Sequence, residues 1–371
     1  MPDLGVMPHA LHRSDPAVLG PYRLVGRLSS GGMGRVYLAV RAGTAELAAV
    51  KTLLVENDIS TADRARFARE VAVAQRVAGR HTARVLAADP GAAWPWLATE
   101  YIAAPSLGEL TARGGPADPG TVARLARNCA AALESLHAAG VVHRDLKPHN
   151  LLLTPDGIRI IDFGISHATD LTQTRLTLGT IAYIAPEQAR GMPATPASDI
   201  YALGTTLCAV ATGRPPYPQT GDPVQLLALV SRGAVNFSGV PDPLLGLVRA
   251  CLAADPADRP QSAEVRALAD ETEIAGPSLG QVLPGLPNSW ARIIFAYDQQ
   301  GRELRRQHAL RADVPAPQTA VPARRIAGLT PRGWRAACSL SANLVALGCL
   351  TLGGLAAIVI VIFIAAQGVL W

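Results

Sequence analysis

Two short segments hold the side chains that could do chemistry in this chain. The first reads His-Arg-Asp-Leu-Lys-Pro-His-Asn and ends at Asn150, and the second reads Asp-Phe-Gly and begins at Asp162. Phosphoryl transfer needs a carboxylate that orients the attacking hydroxyl, oxygen ligands for Mg²⁺, and a cation that spreads the charge of the transferred group. Asp145 fits the first role as a catalytic base, and Lys147 fits the third. Asn150 and Asp162 fit the second role as metal ligands, so the segments predict a phosphotransfer site.

A glycine-rich turn further upstream could bind the phosphates themselves. It reads Leu-Ser-Ser-Gly-Gly-Met-Gly-Arg-Val-Tyr over residues 28–37, between two apolar runs typical of strands. Glycine allows backbone amides to come close to phosphate oxygens, which makes Gly31 and Gly34 candidate contacts. Leu28 and Val36 complete the predicted nucleotide-binding set in this turn. A dinucleotide fingerprint would need a helix after the turn. Taken alone, the pattern fits an ordinary glycine hairpin at least as well.

Lys51 ends an apolar run, and Glu70 lies in the helical stretch that follows. Because a buried ammonium needs a partner, the two predict an ion pair that directs Lys51 toward the phosphates. On its own segment, Glu70 fits a solvated helix position better. The 34 basic residues of the chain include only two lysines, Lys51 and Lys147. Arginine cannot replace a compact ammonium at a phosphate site, so this placement favours an active catalyst over a degenerate one.

Together these motifs resemble those of the eukaryotic-like serine/threonine protein kinases of bacteria, specifically of the actinobacterial type. The resemblance extends over residues 22–268 and includes Ala-Pro-Glu at residues 185–187. It implies a bilobal protein-kinase fold of the α+β class, with an antiparallel sheet and helix C in the N-lobe and a mainly helical C-lobe. It also implies ATP as the phosphate donor, Mg²⁺ as the cofactor with Mn²⁺ as an alternative, and Ser/Thr-containing proteins as substrates.

The resemblance also assigns roles residue by residue. Lys51 would contact the α- and β-phosphates and be held by Glu70, and Lys147 would contact the γ-phosphate. The backbone of Glu100 and Ile102 would bind adenine at the hinge. Supporting roles are implied for Thr99 at the back of the pocket, for Asp199 as a brace of the catalytic loop, and for Arg259 as the buried partner of Glu187. Ser29 stands where the family has its first glycine, which predicts weakened but retained ATP binding.

Four threonines, 172, 174, 177 and 180, lie between the Asp-Phe-Gly and Ala-Pro-Glu segments. A polar surface loop would explain them in any domain. Arg144, directly before Asp145, offers a partner for a phosphate in this loop, so we expect autophosphorylation at Thr172 or Thr174. Thr180 resembles the family threonine that contacts the catalytic loop and marks serine/threonine specificity.

Composition divides the chain into five regions. They are an irregular lead-in at 1–20, the kinase domain at 21–270, a Pro- and Arg-rich juxtamembrane linker at 271–335, a transmembrane helix at 340–366 and a short external tail at 367–371. Within the linker, residues 290–297 are apolar enough to pack against another part of the protein.

The transmembrane prediction rests on residues 344–366. At about 1.5 Å per residue this stretch reaches roughly 34 Å, enough for a hydrocarbon core of about 30 Å. No Asp, Glu, Lys, Arg or His follows Arg335, and residues 276–335 contain nine arginines but only three acidic residues. This basic collar predicts a cytosolic kinase domain, a single pass through the cytoplasmic membrane and contact with anionic lipid. Because the charge excess is confined there, the overall net charge of +5 does not indicate nucleic-acid binding. Anchoring would also favour self-association for trans-autophosphorylation.

Two other functions fit parts of the sequence. A kinase-shaped scaffold that binds nucleotide without transferring phosphate is supported by Ser29 and opposed by the intact Lys51, Asp145, Asn150 and Asp162. A small-molecule phosphotransferase shares the acidic arrangement, but such enzymes generally lack the equivalents of Lys147 and of the Ala-Pro-Glu segment.

Overall fold

The computed structural model describes residues 8–31, 34–53, 59–77, 79–162, 178–218, 220–272 and 285–309. An antiparallel sheet forms the N-terminal lobe. Its strands are β1 (Val18–Leu19), β2 (Tyr22–Gly31), β3 (Gly34–Arg41), β4 (Leu47–Leu53), β5 (Val85–Asp89) and β6 (Trp96–Glu100). They lie in the order β1-β2-β3-β4-β6-β5.

Alternating apolar residues hold this sheet together on one face. Tyr22, Tyr37 and Val50 are completely buried, and Trp96 packs edge-on against Tyr22 at 5.6 Å between ring centroids. Residues 26–31 of β2 and 34–38 of β3 form the hairpin that carries the glycine-rich turn. Strand β3 then pairs with β4 in a register that places Val36 opposite Lys51.

Helix α1 (Thr61–Arg76) packs beside the sheet. It begins after Ser60, whose hydroxyl accepts a hydrogen bond from the Asp63 N–H at 3.0 Å. Its buried residues Phe67, Glu70, Val71 and Ala74 follow the i, i+3, i+4, i+7 spacing of one helix face. Glu70 is therefore on the buried face and is 5% exposed, which excludes the solvated position that its own segment favoured.

The C-terminal lobe is mainly helical and contains the largest apolar core. Helix α3 (Pro119–Ala138) lies at its centre, with Asp118 capping the first turn and a proline at the first helical position. The other elements are α2 (Leu107–Gly114), β7 (Leu151–Thr154), β8 (Gly157–Ile160), α4 (Leu178–Ile181), α5 (Pro186–Ala189), α6 (Pro196–Thr212), α7 (Pro223–Ser231), α8 (Asp242–Cys251) and α9 (Ser262–Glu271). The predicted α+β arrangement of a sheet lobe and a helical lobe is confirmed.

Residues before Tyr22, expected to be irregular, pair with the sheet. His9 and Arg27 exchange two backbone hydrogen bonds of 2.9 and 2.8 Å, and β1 pairs with the start of β2. The fully covered carboxylate of Asp15 accepts hydrogen bonds from Arg27 at 2.6 and 2.7 Å and from the Tyr37 hydroxyl at 2.8 Å. Charged hydrogen bonds thus hold this segment on β2 and β3.

A further helix, α10 (Asn288–Ala309), lies within the stretch predicted as a linker and includes its apolar residues 290–297. Trp290 is completely buried, so these residues do pack against the rest of the protein. No helix among the described residues is long and apolar enough to cross a membrane. The predicted span at 340–366 and the tail at 367–371 lie outside the described residues.

Candidate active site

A cavity of about 460 Å³ contains most of the side chains that the sequence predicted to bind nucleotide. Leu28, Val36, Lys51, Glu70, Glu100, Ile102 and Asp162 all line it, as do Ser29 and Thr99. Strand pairing explains much of this grouping, since β3 and β6 flank β4, the strand that carries Lys51.

Lys51 connects the two sides of this cavity. Its Nζ lies 2.6 Å from Glu70 Oε1 on α1 and 3.2 Å from Asp162 Oδ1. The predicted Lys51–Glu70 ion pair is therefore confirmed. Burial lowers the pKa of Lys51, but the nearby carboxylates of Asp162 and Glu70 more than offset it, so the pKa lies above the usual lysine value. Lys51 in turn holds the pKa of Asp162 below its usual value. Both groups are thus charged at neutral pH.

The second predicted cluster surrounds Asp145. Lys147 Nζ donates to Asp145 Oδ2 at 2.9 Å and contacts Thr180 Oγ1 at 3.4 Å. Asn150 donates from Nδ2 to the Asp145 carbonyl at 2.7 Å and to its Oδ2 at 3.1 Å. The predicted contact of Thr180 with the catalytic loop is therefore present. The carboxylate is fixed in place by neighbours that are themselves mostly buried.

Asp199, at the start of α6, holds the loop in front of Asp145. Its carboxylate accepts the backbone N–H groups of His143 at 2.8 Å and Arg144 at 2.9 Å, as the resemblance implied. His137 on α3 adds a contact that the sequence did not predict, with Nε2 2.9 Å from Asp199 Oδ2. The loop is thus tied to two helices of the C-terminal lobe.

Backbone strain is concentrated at this site. Among the described residues, the two non-glycine residues with positive φ are Arg144 at 72° and Asp162 at 56°. Such conformations cost on the order of 1–3 kcal/mol each and persist where the surroundings enforce them. Here the Asp199 hydrogen bond to Arg144 and the Lys51 contact to Asp162 supply part of that enforcement.

Asn150 and Asp162 meet the chemical requirements of a magnesium site. The β7–β8 hairpin pairs Leu151 with Ile160, and Ile161 N–H donates to the Asn150 carbonyl at 3.0 Å, which brings the two segments together. Amide and carboxylate oxygens are ligands that Mg²⁺ prefers, and it commonly takes one or two protein ligands with phosphates and water. The part of the chain described here has no cluster of three or more His, Cys, Asp or Glu residues suited to a metal.

The glycines of the turn contribute differently from the other predicted residues. Gly31 and Gly34 pair at the tip of the β2–β3 hairpin, and Gly34 is not among the residues that line the cavity. A Cβ on Gly34 would lie 2.4 Å from the Thr52 carbonyl oxygen. Glycine is therefore required here for the close approach of β3 to β4, in addition to any contact with phosphate.

The predicted hinge lies at the end of β6. Glu100 donates its N–H to the Arg84 carbonyl at 2.8 Å, and its carboxylate accepts the Arg84 N–H at 3.1 Å. The side chain of Glu100 is therefore engaged with Arg84. The implied role of the Glu100 backbone toward adenine stays a prediction.

Several cavity residues were not predicted from the sequence. They include Pro8 and His9 of the N-terminal segment, Ser106 and Glu109 at the start of α2, and Tyr297 of α10. Ser106 and Glu109 form a reciprocal capping box, and the Ser-x-x-Glu pattern could have indicated this helix start. Nothing local indicates the other three residues, because their place in the cavity depends on long-range packing.

Known proteins resemble the chain in both sequence and structure. The protein kinase domain model matches residues 22–268. Serine/threonine-protein kinase AfsK of Streptomyces coelicolor is 44% identical over 69% of this chain and 32% of that protein. Probable serine/threonine-protein kinase PkwA of Thermomonospora curvata is 44% identical over 69% of this chain and 35% of that protein. This chain thus aligns with about a third of the length of either relative.

The crystal structure of the Mycobacterium tuberculosis PknI kinase domain superimposes with a TM-score of 0.53 and 29% identity. The match covers 68% of this chain and 96% of that domain. The region from β2 to α9 accordingly carries a protein kinase fold, with the lysine, aspartate and asparagine side chains of the site in place. The chain belongs to the protein kinase domain family.

Proposed function

We propose that the chain is an ATP-dependent serine/threonine protein kinase that transfers the γ-phosphate to protein hydroxyls. The observation that carries the proposal is the position of Lys51, which bridges Glu70 and Asp162 at 2.6 and 3.2 Å in the cavity of about 460 Å³. The names of the curated relatives support the same activity. The proposed nucleotide-binding residues are the predicted set, including Gly31 and Gly34 of the turn.

The residues present can divide the work of phosphoryl transfer. A substrate oxygen forms a bond to the γ-phosphorus while the bond to the β–γ bridging oxygen breaks and leaves ADP. Asp145 would orient the hydroxyl and take its proton, and Lys147, 2.9 Å from Asp145, would balance charge on the transferred group. Asn150 and Asp162 would hold Mg²⁺, which when bound neutralises phosphate charge. The positive charge of Lys51 would orient the α- and β-phosphates.

Substitution of Asp145 by Asn tests the activity directly. The exchange removes the base but keeps the size of the side chain, so transfer from [γ-³²P]ATP to a basic protein should fall about 100- to 10,000-fold. ADP affinity, measured by calorimetry, should stay within about threefold, because Asp145 does not line the cavity. Equal labelling by wild type and Asp145→Asn would overturn the proposal in favour of a scaffold. Labelling of sugars or antibiotics in place of protein would indicate a small-molecule phosphotransferase.

We propose autophosphorylation of the segment between Asp162 and Thr180 as a second property of this activity. Thr172, Thr174 and Thr177 lie outside the described residues, so the proposal is supported by the sequence and by Arg144, which lies next to the base. Mass spectrometry of ATP-treated protein should find phosphate on Thr172 or Thr174, and Asp145→Asn should lack it. Unmodified threonines in active wild type would refute this property and leave the kinase activity standing.

We further propose that residues 340–366 anchor the protein in the cytoplasmic membrane, with the kinase domain in the cytosol. The supporting observation is the uncharged stretch 344–366 after a basic collar. Full-length protein should float with lipid vesicles, and a variant lacking 344–371 should not. If anchoring promotes self-association, the same deletion should slow autophosphorylation at dilute protein concentration. Unchanged flotation of the deletion variant would contradict the proposed anchor, and an unchanged autophosphorylation rate would contradict the proposed self-association.

A further inference from the structure

Helix α10 lies outside the residues 22–268 matched by the family model, yet it contacts the C-terminal lobe, the hinge and the N-terminal lobe in succession. Its buried residues lie on one face and are Trp290, Ile293, Ile294, Tyr297, Gly301, Leu304 and His308. Trp290 and Leu304 are fourteen positions apart, which corresponds to about 21 Å along a helix. One helix therefore extends past the hinge from α2 to the sheet.

The first end of α10 is anchored on α2. Trp290 is completely buried, and its Nε1–H donates to the Gly115 carbonyl at 3.0 Å. The Ser289 hydroxyl donates to the Gly114 carbonyl at 2.8 Å. A Cβ on Gly114 would lie 2.5 Å from the Trp290 ring, so the glycine makes room for the indole.

The middle of α10 contributes to the nucleotide cavity. Tyr297 lines that cavity, and its hydroxyl donates to Glu109 Oε1, while Glu109 Oε2 caps α2 through Ser106. One turn later, Gly301 lies directly against the hinge, since a Cβ there would be 2.3 Å from the Cβ of Ala103. The helix backbone is thus as close to the hinge as packing permits.

The far end of α10 reaches the sheet. Leu304 is 6% exposed and shares an apolar cluster with Leu38, Val40 and Leu47 of β3 and β4. Leu28, which lines the nucleotide cavity, packs against the same cluster. Through these contacts α10 fixes the sheet relative to α2. The arrangement that it fixes is the one in which Lys51 pairs with both Glu70 and Asp162.

We propose that α10 is a working part of the nucleotide site, which holds the two lobes in the nucleotide-binding arrangement and uses Tyr297 to position Glu109 at the cavity. The inference rests on the proposed function, because the ligand is the adenine nucleotide of that reaction. Binding of nucleotide and docking of α10 then strengthen each other, as linkage between two sites requires.

The variant Gly301→Ala tests this coupling with the smallest possible change. The added methyl collides with Ala103 and with no other side chain within 3.4 Å, so it should lift α10 from the hinge. We expect ADP affinity, measured by calorimetry, to fall at least fivefold and tryptic cleavage within 285–309 to accelerate. The double variant Ala103→Gly with Gly301→Ala should restore both, because it moves the methyl from one partner to the other. Gly246→Ala on α8, where nothing lies within 4 Å of the added Cβ, serves as the matched control.

Two further measurements make the outcome decisive. Trp290→Ala removes the anchor and should weaken ADP binding like Gly301→Ala, and ADP should slow cleavage of α10 in wild type. Tyr297→Phe should raise the KM for ATP with little change in kcat. Wild-type ADP affinity in both Gly301→Ala and Trp290→Ala, or tighter binding in either, would overturn the inference. If wild type binds no nucleotide, the proposed function falls as well, so the two failures are distinguishable.

Discussion

The buried ion pair between Glu187 and Arg259 offers a sharp test of how the C-terminal lobe is held together. Arg259 donates from Nη1 and Nη2 to the two carboxylate oxygens of Glu187 at 2.7 and 2.8 Å. It also donates to three backbone carbonyls at 2.8, 2.9 and 3.2 Å, and its guanidinium stacks on the Tyr201 ring at 4.8 Å. Its side chain is completely buried. The perturbation is Arg259→Ala.

The expected magnitude follows from what the substitution leaves behind. Glu187 would keep the Ser198 hydroxyl at 2.7 Å but lose its counter-charge in a buried position. Removing one partner of a buried pair costs about 3–5 kcal/mol. For a domain of about 250 residues this predicts a fall in Tm of about 6–20 °C. Arg259→Lys keeps the charge with three donors for five acceptors, so it should cost about 2–3 kcal/mol.

The pH dependence has a definite sign. Burial raises the pKa of Glu187, but the hydrogen bonds from Arg259 and Ser198 outweigh it and hold the pKa below the usual glutamate value. In wild type this carboxylate therefore stabilises the fold above the unfolded pKa of about 4.3, and the contribution disappears as the pH falls. In Arg259→Ala burial dominates and raises the pKa of Glu187. Protonation of Glu187 then removes the buried unpaired charge and stabilises the variant. The stability difference should shrink from pH 7 toward pH 4.

Thermal and urea unfolding of wild type and variants measure the effect. Arg266→Ala is the matched control, because Arg266 pairs with Glu134 at 2.9 Å on the surface, where the two side chains are 46% and 47% exposed. Exposed pairs contribute about 0–1 kcal/mol, so this variant should lose less than about 4 °C. Equal shifts for Arg259→Ala and Arg266→Ala, or a difference that grows at low pH, would refute the reasoning.

Three other outcomes are expected. Lys51→Arg should reduce phosphotransfer at least tenfold, because a planar guanidinium does not fit between Glu70 and Asp162. The control Arg266→Lys, at an exposed position, should leave the rate unchanged. Retained activity in Lys51→Arg would contradict the argument from the placement of the two lysines. Gly34→Ala should cost about 1–3 kcal/mol in urea unfolding through its clash with the Thr52 carbonyl, unlike Gly246→Ala. Asp15→Asn should cost about 1–3 kcal/mol at pH 7. Hydrogen bonds, that from Arg27 foremost, hold the pKa of Asp15 below its usual value, so this cost should be complete above the unfolded pKa of about 3.9 and should decline progressively as the pH falls further; an unchanged cost well below pH 4 would contradict it.

Predictions from the sequence were most accurate where a charge needs a specific partner. Lys51 pairs with Glu70, and Arg259 pairs with Glu187, which is 72 positions away in the chain. Both pairs were predicted because the motifs include both residues of each pair. Gly34 was predicted for phosphate approach alone, since its contact with Thr52 depends on the register of β3 on β4. The sequence of a hairpin indicates its two strands, but it does not indicate how closely a third strand packs against them.

Partners set by tertiary packing alone were beyond the sequence. The apolar stretch 290–297 predicted that something covers it, yet helical spacing defines a face and not the surface it meets. The positive φ of Arg144 and Asp162 was also not foreseen, because neither residue type requires that conformation. Both depend on groups far away in the chain, such as Asp199 and Lys51.

Helix α10 lies in the chain between the kinase domain and the proposed membrane anchor. The helix follows the family region, lies within the basic stretch 276–335 and precedes the proposed anchor at 340–366. A fivefold effect of α10 on nucleotide affinity corresponds to about 1 kcal/mol, and reciprocity requires nucleotide to stabilise docking by the same amount. A partner that binds the chain beyond Ala309 can act on nucleotide binding through α10 only if it binds one position of the helix, docked or released, more tightly than the other. The coupling energy measured with Gly301→Ala therefore gives a first value for the signal that this helix can carry to the active site.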